Sequence, residues 1–274
     1  MAGSYRRSLS RVLSPAVRAH FEEWGYARVE NAFSADDAAR MRDVVWDALA
    51  HDGILRDDSS TWVDETPSHL QSLKGADVFK AIGSDRTLDA IDDIVGAGRW
   101  KPPADWGAYF LLFPTRRPWT VPWKAWHLDH DYTGSLSPVE GLKVHSMFGS
   151  VEPRAGGMTI VAGSHHLLSR HFIEHPPRAG TKAAQVRKQL MHSNDYLREL
   201  GTDPGETDSA ARIARFVDAV EVVNGVSAQV VELTATAGDV ILIHPLVLHT
   251  RPTNAGTQPR FLLNKDLYLT RRDA

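Results

Sequence analysis

The 274-residue chain contains no cysteine. Disulfides, thiolate nucleophiles, iron–sulfur clusters and cysteine-based zinc sites are therefore excluded together. Any metal must be held by His, Asp or Glu, and thirteen His residues supply donors for one. An apolar run long enough to cross a bilayer is also missing, so no membrane partner is expected. Charge of one sign is scarce too. A net charge of −3 at pH 7 gives neither nucleic acid nor an anionic membrane an electrostatic reason to bind. Internal repeats and low-complexity tracts are absent. What remains, 42% hydrophobic and 24% charged residues, is ordinary for a globular protein that buries a full core. The chain reads as a single domain over 1–274.

The first twenty residues carry Arg6, Arg7, Arg11 and Arg18 and no acid, a composition similar to an organelle transit peptide. Ser14 and Pro15 already begin a helix, however, so the expected compartment is the cytoplasm. The expected assembly state is a monomer or homodimer.

Residues 1–100 read as mainly helical. Ser14 as N-cap, Pro15 at the first helical position and Gly25 past the end bracket one helix. A short strand follows at 26–30. Ser34 with Asp37 forms a capping box that opens a helix to about residue 50, and Ser84 and Gly96 bracket a third over 85–95. After Trp100 the period becomes strand-like, predicting a jelly-roll core over 101–270. Strands are predicted at 106–113, 142–151, 158–162, 228–233, 239–244, 247–250 and 260–269, with helices at 182–200 and 208–220. Many short strands with helices in front and inserted late predict a mainly β fold, a double-sheet jelly roll with helical decoration. All eight Trp residues lie at or before 126, which predicts an aromatic wall in the core, with Trp123 or Trp126 also facing a pocket.

The chemistry gathers at 123–134. If this stretch is extended, His127 and Asp129 leave the same face. An imidazole and a carboxylate so placed are two thirds of the 2-His-1-carboxylate triad of non-haem Fe(II) oxygenases. Alone, His-x-Asp fits a solvated polar turn as well. Downstream, Gly238-Asp239 turns into a strand, His249 ends the next extended piece, and Arg260 follows eleven residues later. A turn at 254–256 brings Arg260 back beside His249. A buried Arg requires an anion, and none of its sequence neighbours is an obvious partner. A dicarboxylate cosubstrate satisfies it, one end on the metal and the other on the guanidinium.

His127-Leu-Asp129 after Trp126, the run Gly156-Gly-Met-Thr-Ile-Val-Ala-Gly-Ser-His165, and Gly238-Asp239, His249, Asn254 and Pro259-Arg260 together resemble the phytanoyl-CoA dioxygenase family. The run from Trp24 to Asn31 before a capped helix is similar to that family's N-terminus. The resemblance covers about residues 14–270. It implies the cupin-like double-stranded β-helix, N-terminal helices packed on its sheet, and Fe(II), 2-oxoglutarate and O2 as cofactor and cosubstrates. It further implies His127, Asp129 and His249 as iron ligands and Arg260 as the anchor of the 2-oxoglutarate distal carboxylate. Tyr109 and His145 are implied beside the cosubstrate. For His145 a core position is the equal alternative.

One departure concerns Arg251, where the family often has a Ser that helps hold the carboxylate. Thr250 or Thr253 takes over that hydroxyl, or Arg251 adds a second cation. The carboxylate at Asp129 argues against the halogenating relatives. The predicted activity is hydroxylation of an unactivated C–H bond of a small organic substrate. Desaturation, epimerisation and cyclisation stay open, as do a metal-binding jelly roll without turnover and a dioxygenase without cosubstrate. The helical insertion over 166–227 is expected to be a substrate lid, because long insertions in compact domains are seldom idle. Its Arg170 and Arg178, with Arg251 and Trp126, are the candidate substrate contacts, the arginines toward an anionic group. A solvated surface with internal ion pairs is the alternative.

Overall fold

Local sequence chemistry sets the helix ends. In α1 (Pro15–Trp24), Ser14 Oγ accepts the Val17 amide at 3.2 Å, and Gly25, at φ 80°, ends the helix in the left-handed region. In α2 (Ala35–His51), Ser34 Oγ accepts the Asp37 amide at 3.0 Å, and Asp36 and Asp37 complement the helix dipole. Ser84 and Gly96 bracket α3 (Asp85–Val95). The computed structural model describes residues 11–67, 69–128, 139–176, 181–205 and 209–269.

Among the described residues, nine strands form two antiparallel sheets. The first has the order β1 (Tyr26–Val29), β7 (Val240–Ile243), β3 (Gly141–Met147), β9 (Leu262–Tyr268) and β2 (Ala108–Tyr109). The second runs β5 (Glu221–Val223), β6 (Val226–Glu232), β4 (Thr159–Ala162) and β8 (His249–Thr250). A bridge between His127 and His249 extends the second sheet beyond β8. The architecture is the jelly roll with helical decoration that the strand pattern predicts.

Both faces of the first sheet are covered, so its inner strand β7 is apolar throughout instead of alternating with polar residues. In β7, Val240 and Leu242 face a core shared with α2 and α3, whereas Ile241 and Ile243 face the space between the sheets. The segment 109–113 obeys the same period. Tyr109, Leu111 and Phe113 point into the helical core. A third core covers the far side of the second sheet. There α4 (Ser164–Glu174), α5 (Ala183–Met191), α6 (Asp195–Leu200) and α7 (Ser209–Phe216) pack on β6 and on the 119–126 segment.

Three differences from expectation have local causes. The helix expected over 182–200 is two, because the Asn194 side chain accepts the Leu197 amide at 2.9 Å and starts a new one. No helix is predicted between the strand at 158–162 and residue 182, yet α4 begins at Ser164, where Gly163 takes φ 83° and acts as N-cap. The strand expected at 247–250 shortens to β8. Among the described residues no helix is long and apolar enough to cross a membrane.

Candidate metal and cosubstrate site

His127 and His249 are brought together by the second sheet. The His127 amide donates to His249 O at 2.9 Å, and the His249 amide donates to His127 O at 3.1 Å. Their ring centroids lie 4.4 Å apart. Each imidazole is oriented by backbone two residues earlier. His127 Nδ1 lies 2.8 Å from Ala125 O, and His249 Nδ1 lies 2.9 Å from Val247 O. A carbonyl only accepts, so both Nδ1 atoms carry the hydrogen, and in the neutral rings Nε2 holds the lone pair. This is the tautomer metal-ligating histidines adopt. Ala125 takes φ 61°, a left-handed conformation unusual for a residue with a Cβ, next to the residue it helps to aim. Asp129 lies outside the described residues. Among those described no group of three metal-ligating side chains gathers, and the two histidines are the part of the predicted triad seen here.

Both rings border a cavity of about 460 Å³ that also contains Arg260, Thr250, Arg251 and Thr253. Arg260 is 1% exposed. Its Nη1 donates to Gly156 O at 2.5 Å, while its Nε is buried without a partner. Burial, and after it the positive charge of Arg251, pull its pKa down to about 9. The turn that delivers it depends on Asn254, which is fully buried. Asn254 Nδ2 donates to Leu112 O and Gln258 O, both at 2.9 Å, and its Oδ1 accepts the Gly256 amide at 2.9 Å. Glu232 holds the other wall by accepting the amides of Arg154, Gly156 and Gly157. Burial raises the Glu232 pKa above the usual carboxylate value, against the pull of those amides.

A buried guanidinium with an unmatched donor at one end of a cavity and two lone-pair imidazoles in its wall fit a metal-chelating dicarboxylate. His127 and His249, with Asp129 from the sequence, would hold Fe(II), and Arg260 would take the far carboxylate. Thr250 Oγ1 donates to Lys124 O at 3.2 Å, and Thr253 borders the cavity.

Other predicted residues are not brought to the cavity. Tyr109 lies on the wrong face of its strand: its ring packs edge-on against Phe79 at 5.3 Å, and Phe110 borders the cavity instead. Trp126 is buried in the third core with Nε1 donating to Pro122 O at 3.0 Å, and Trp123 takes its place at the wall. Arg170 donates to Asn224 O beside a separate cavity of about 930 Å³. Among the described residues, no side chain of the 166–227 insertion borders the metal cavity; its helices pack on the far side of the second sheet. Arg178 lies outside the described residues. His145 is buried on the inward face of β3, between Lys143 and Met147.

Other residues of the wall escape the sequence reading, Lys143 and Asn264 among them. Lys143, 2% exposed, projects inward with Nζ 3.0 Å from Asp266 Oδ1 and 3.4 Å from Asn264 Oδ1, and Asn264 borders the cavity with it. The available signal was parity, since Lys143 stands two residues from His145 and shares its face.

The profile of the phytanoyl-CoA dioxygenase (PhyH) family matches residues 21–262. No match is found among curated proteins. Among solved structures, AviO1 from Streptomyces viridochromogenes Tue57 superposes with a TM-score of 0.54 at 17% identity, covering 96% of each chain. The epimerase SnoN in complex with Fe3+, alpha ketoglutarate and nogalamycin RO gives 0.51 at 18% identity, over 93% of this chain and 82% of its own. HygX from Streptomyces hygroscopicus, with nickel and 2-oxoglutarate bound, gives 0.50 at 14% identity, over 93% and 87%.

Proposed function

The chain belongs to the phytanoyl-CoA dioxygenase family and is an Fe(II)- and 2-oxoglutarate-dependent oxygenase, and from that premise we propose that it hydroxylates a C–H bond of a small organic substrate. The observation that carries this reading is one cavity holding two backbone-oriented imidazoles and a fully buried arginine with an unmatched donor. Iron held there, with 2-oxoglutarate and O2, would supply the oxidant for the C–H bond, one oxygen atom of O2 ending in succinate as CO2 is released and the other in the product.

The chain's own groups position the reactants. His127 and His249 are fixed as ligands by carbonyls two residues away, with Asp129 proposed as the third. Arg260 orients the cosubstrate through its far carboxylate, and the Asn254 turn holds the arginine in place. The walls exclude water through Phe110, Met158 and Trp123. Thr250 and Thr253 border the same cavity, and one of them is proposed to supply the hydroxyl beside the far carboxylate.

The test is anaerobic titration with Fe(II) and then 2-oxoglutarate, followed by a substrate screen that measures succinate. Wild-type protein should bind both. His249→Ala should lose iron affinity and all iron-dependent succinate release. Normal iron binding in His249→Ala would overturn the ligand set. Desaturated, epimerised or cyclised product in the screen would replace hydroxylation as the outcome.

A further inference from the structure

The cavity is unusually rich in positive charge. Lys124, Lys143, Arg251 and Arg260 all border it, and among the described residues no carboxylate does. Two of the four are accounted for. Lys143 is paired with Asp266 at 3.0 Å. Arg260 meets the cosubstrate in the proposed reading, on which this argument rests. In the loaded site the two charges of Fe(II) and that of Arg260 cancel those of Asp129 and the 2-oxoglutarate dianion. Lys124 and Arg251 are left.

Both are exposed, and neither pairs with a carboxylate among the described residues. The Lys124 ammonium lies over the ring of Trp123, 5.4 Å from its centroid. They lie on adjacent chain segments, because Thr250 Oγ1 donates to Lys124 O, and His127, three residues after Lys124, pairs with His249, two residues before Arg251. The strand pair that builds the iron site therefore also fixes two cations at its rim. Two like charges bordering one cavity, beside an apolar wall of Phe110, Pro122 and Trp123, repel each other, and an anion between them relieves that repulsion.

We infer that the substrate carries a carboxylate or phosphate, and that this anion seats at the cavity rim against Arg251 and Lys124. The apolar wall beneath takes the carbon skeleton, which points the carbon to be oxidised toward His127 and His249. Arg251 then selects the substrate, while the cosubstrate is held by Arg260.

The experiment uses full-length protein under anaerobic conditions, saturated with Fe(II) and 2-oxoglutarate. Hexanoate, hexyl phosphate and the neutral hexanamide are titrated by calorimetry into wild type, Arg251→Gln and Lys124→Gln. Wild type should prefer the anions, and added salt should reduce that preference. Each substitution should weaken the preferred anion about fivefold or more while leaving hexanamide and 2-oxoglutarate unchanged. The tighter of hexanoate and hexyl phosphate identifies the headgroup. Equal binding of anion and amide, or a preference untouched by both substitutions, overturns the inference while the oxygenase reading stands. So does an Arg251→Gln variant that weakens 2-oxoglutarate but keeps the anion preference. Failure of wild type to bind 2-oxoglutarate at all overturns the parent reading and this inference with it.

Discussion

At the scale of single residues, the site was legible where a residue's chemistry has few alternatives and obscure where only its facing matters. His127, His249 and Arg260 stood out because two imidazoles and a buried guanidinium have few structural uses together. Tyr109 failed on parity. In a strand one step exchanges the two faces, and Phe110 occupies the position assigned to its neighbour. Lys143 was hidden because a lysine in a strand is expected to face solvent. Arg260→Leu should raise the half-saturating 2-oxoglutarate concentration at least about tenfold while iron affinity holds, since a charge-assisted contact is worth roughly 1.5–3 kcal/mol. Unchanged 2-oxoglutarate dependence would make Arg260 structural. The Lys143–Asp266 pair has a different signature. Asp266→Ala should destabilise the fold by about 2 kcal/mol, read from the urea midpoint, because it removes the carboxylate from a cation that is 2% exposed. Lys143→Met should cost less, as it removes the buried charge itself.

At the scale of elements, helix ends were read well because Ser, Pro and Gly act locally. The inserted helices were read poorly because their ends depend on a single Asn and on a glycine at positive φ. The joint between α1 and α4 shows what sequence alone hides. His165 Nε2 and His166 Nε2 both donate to Glu22 O, at 3.0 and 2.8 Å, next to the end of α1, and His244 stacks 5.0 Å from His165. Burial foremost, then the neighbouring His166, lowers the His165 pKa to about 4, and burial also holds His244 well below its usual value. The folded protein thus favours the neutral rings. Stability from this joint is complete above about pH 6.5 and is lost as pH falls toward 4, because the unfolded chain binds the protons first. For His165 the loss amounts to roughly 3 kcal/mol over that window. Urea midpoints measured from pH 7.5 to 4 should fall accordingly, and His165→Gln should flatten the slope. A flat wild-type profile would contradict the buried neutral assignment.

At the scale of the whole molecule, the fold is three cores separated by two sheets, with the chemistry in the middle one. The jelly roll was legible from strand count and turn spacing. The side on which the insertion lies was not, because sequence order does not say which face of a sheet a connection crosses. Its helices bury Phe216 completely, with the Tyr196 ring 5.2 Å away, on the side opposite the first sheet. Phe216→Ala should therefore cost about 3–5 kcal/mol of stability. Below its melting temperature the variant should keep the wild-type coupling of 2-oxoglutarate decarboxylation to substrate oxidation, which a substrate-lid residue would not. A melting temperature near wild type would refute this account of the layer.

The reciprocal backbone bonds between His127 and His249 give the molecule an internal clock. Each amide proton is held by the other residue's carbonyl, so neither can trade with solvent deuterium until the strand pair itself parts. The two positions should exchange together. Their rate reports the opening of the sheet, whereas metal release can occur with the strands closed. Iron departure and sheet opening, two events at one place, can thus be timed separately in the same sample.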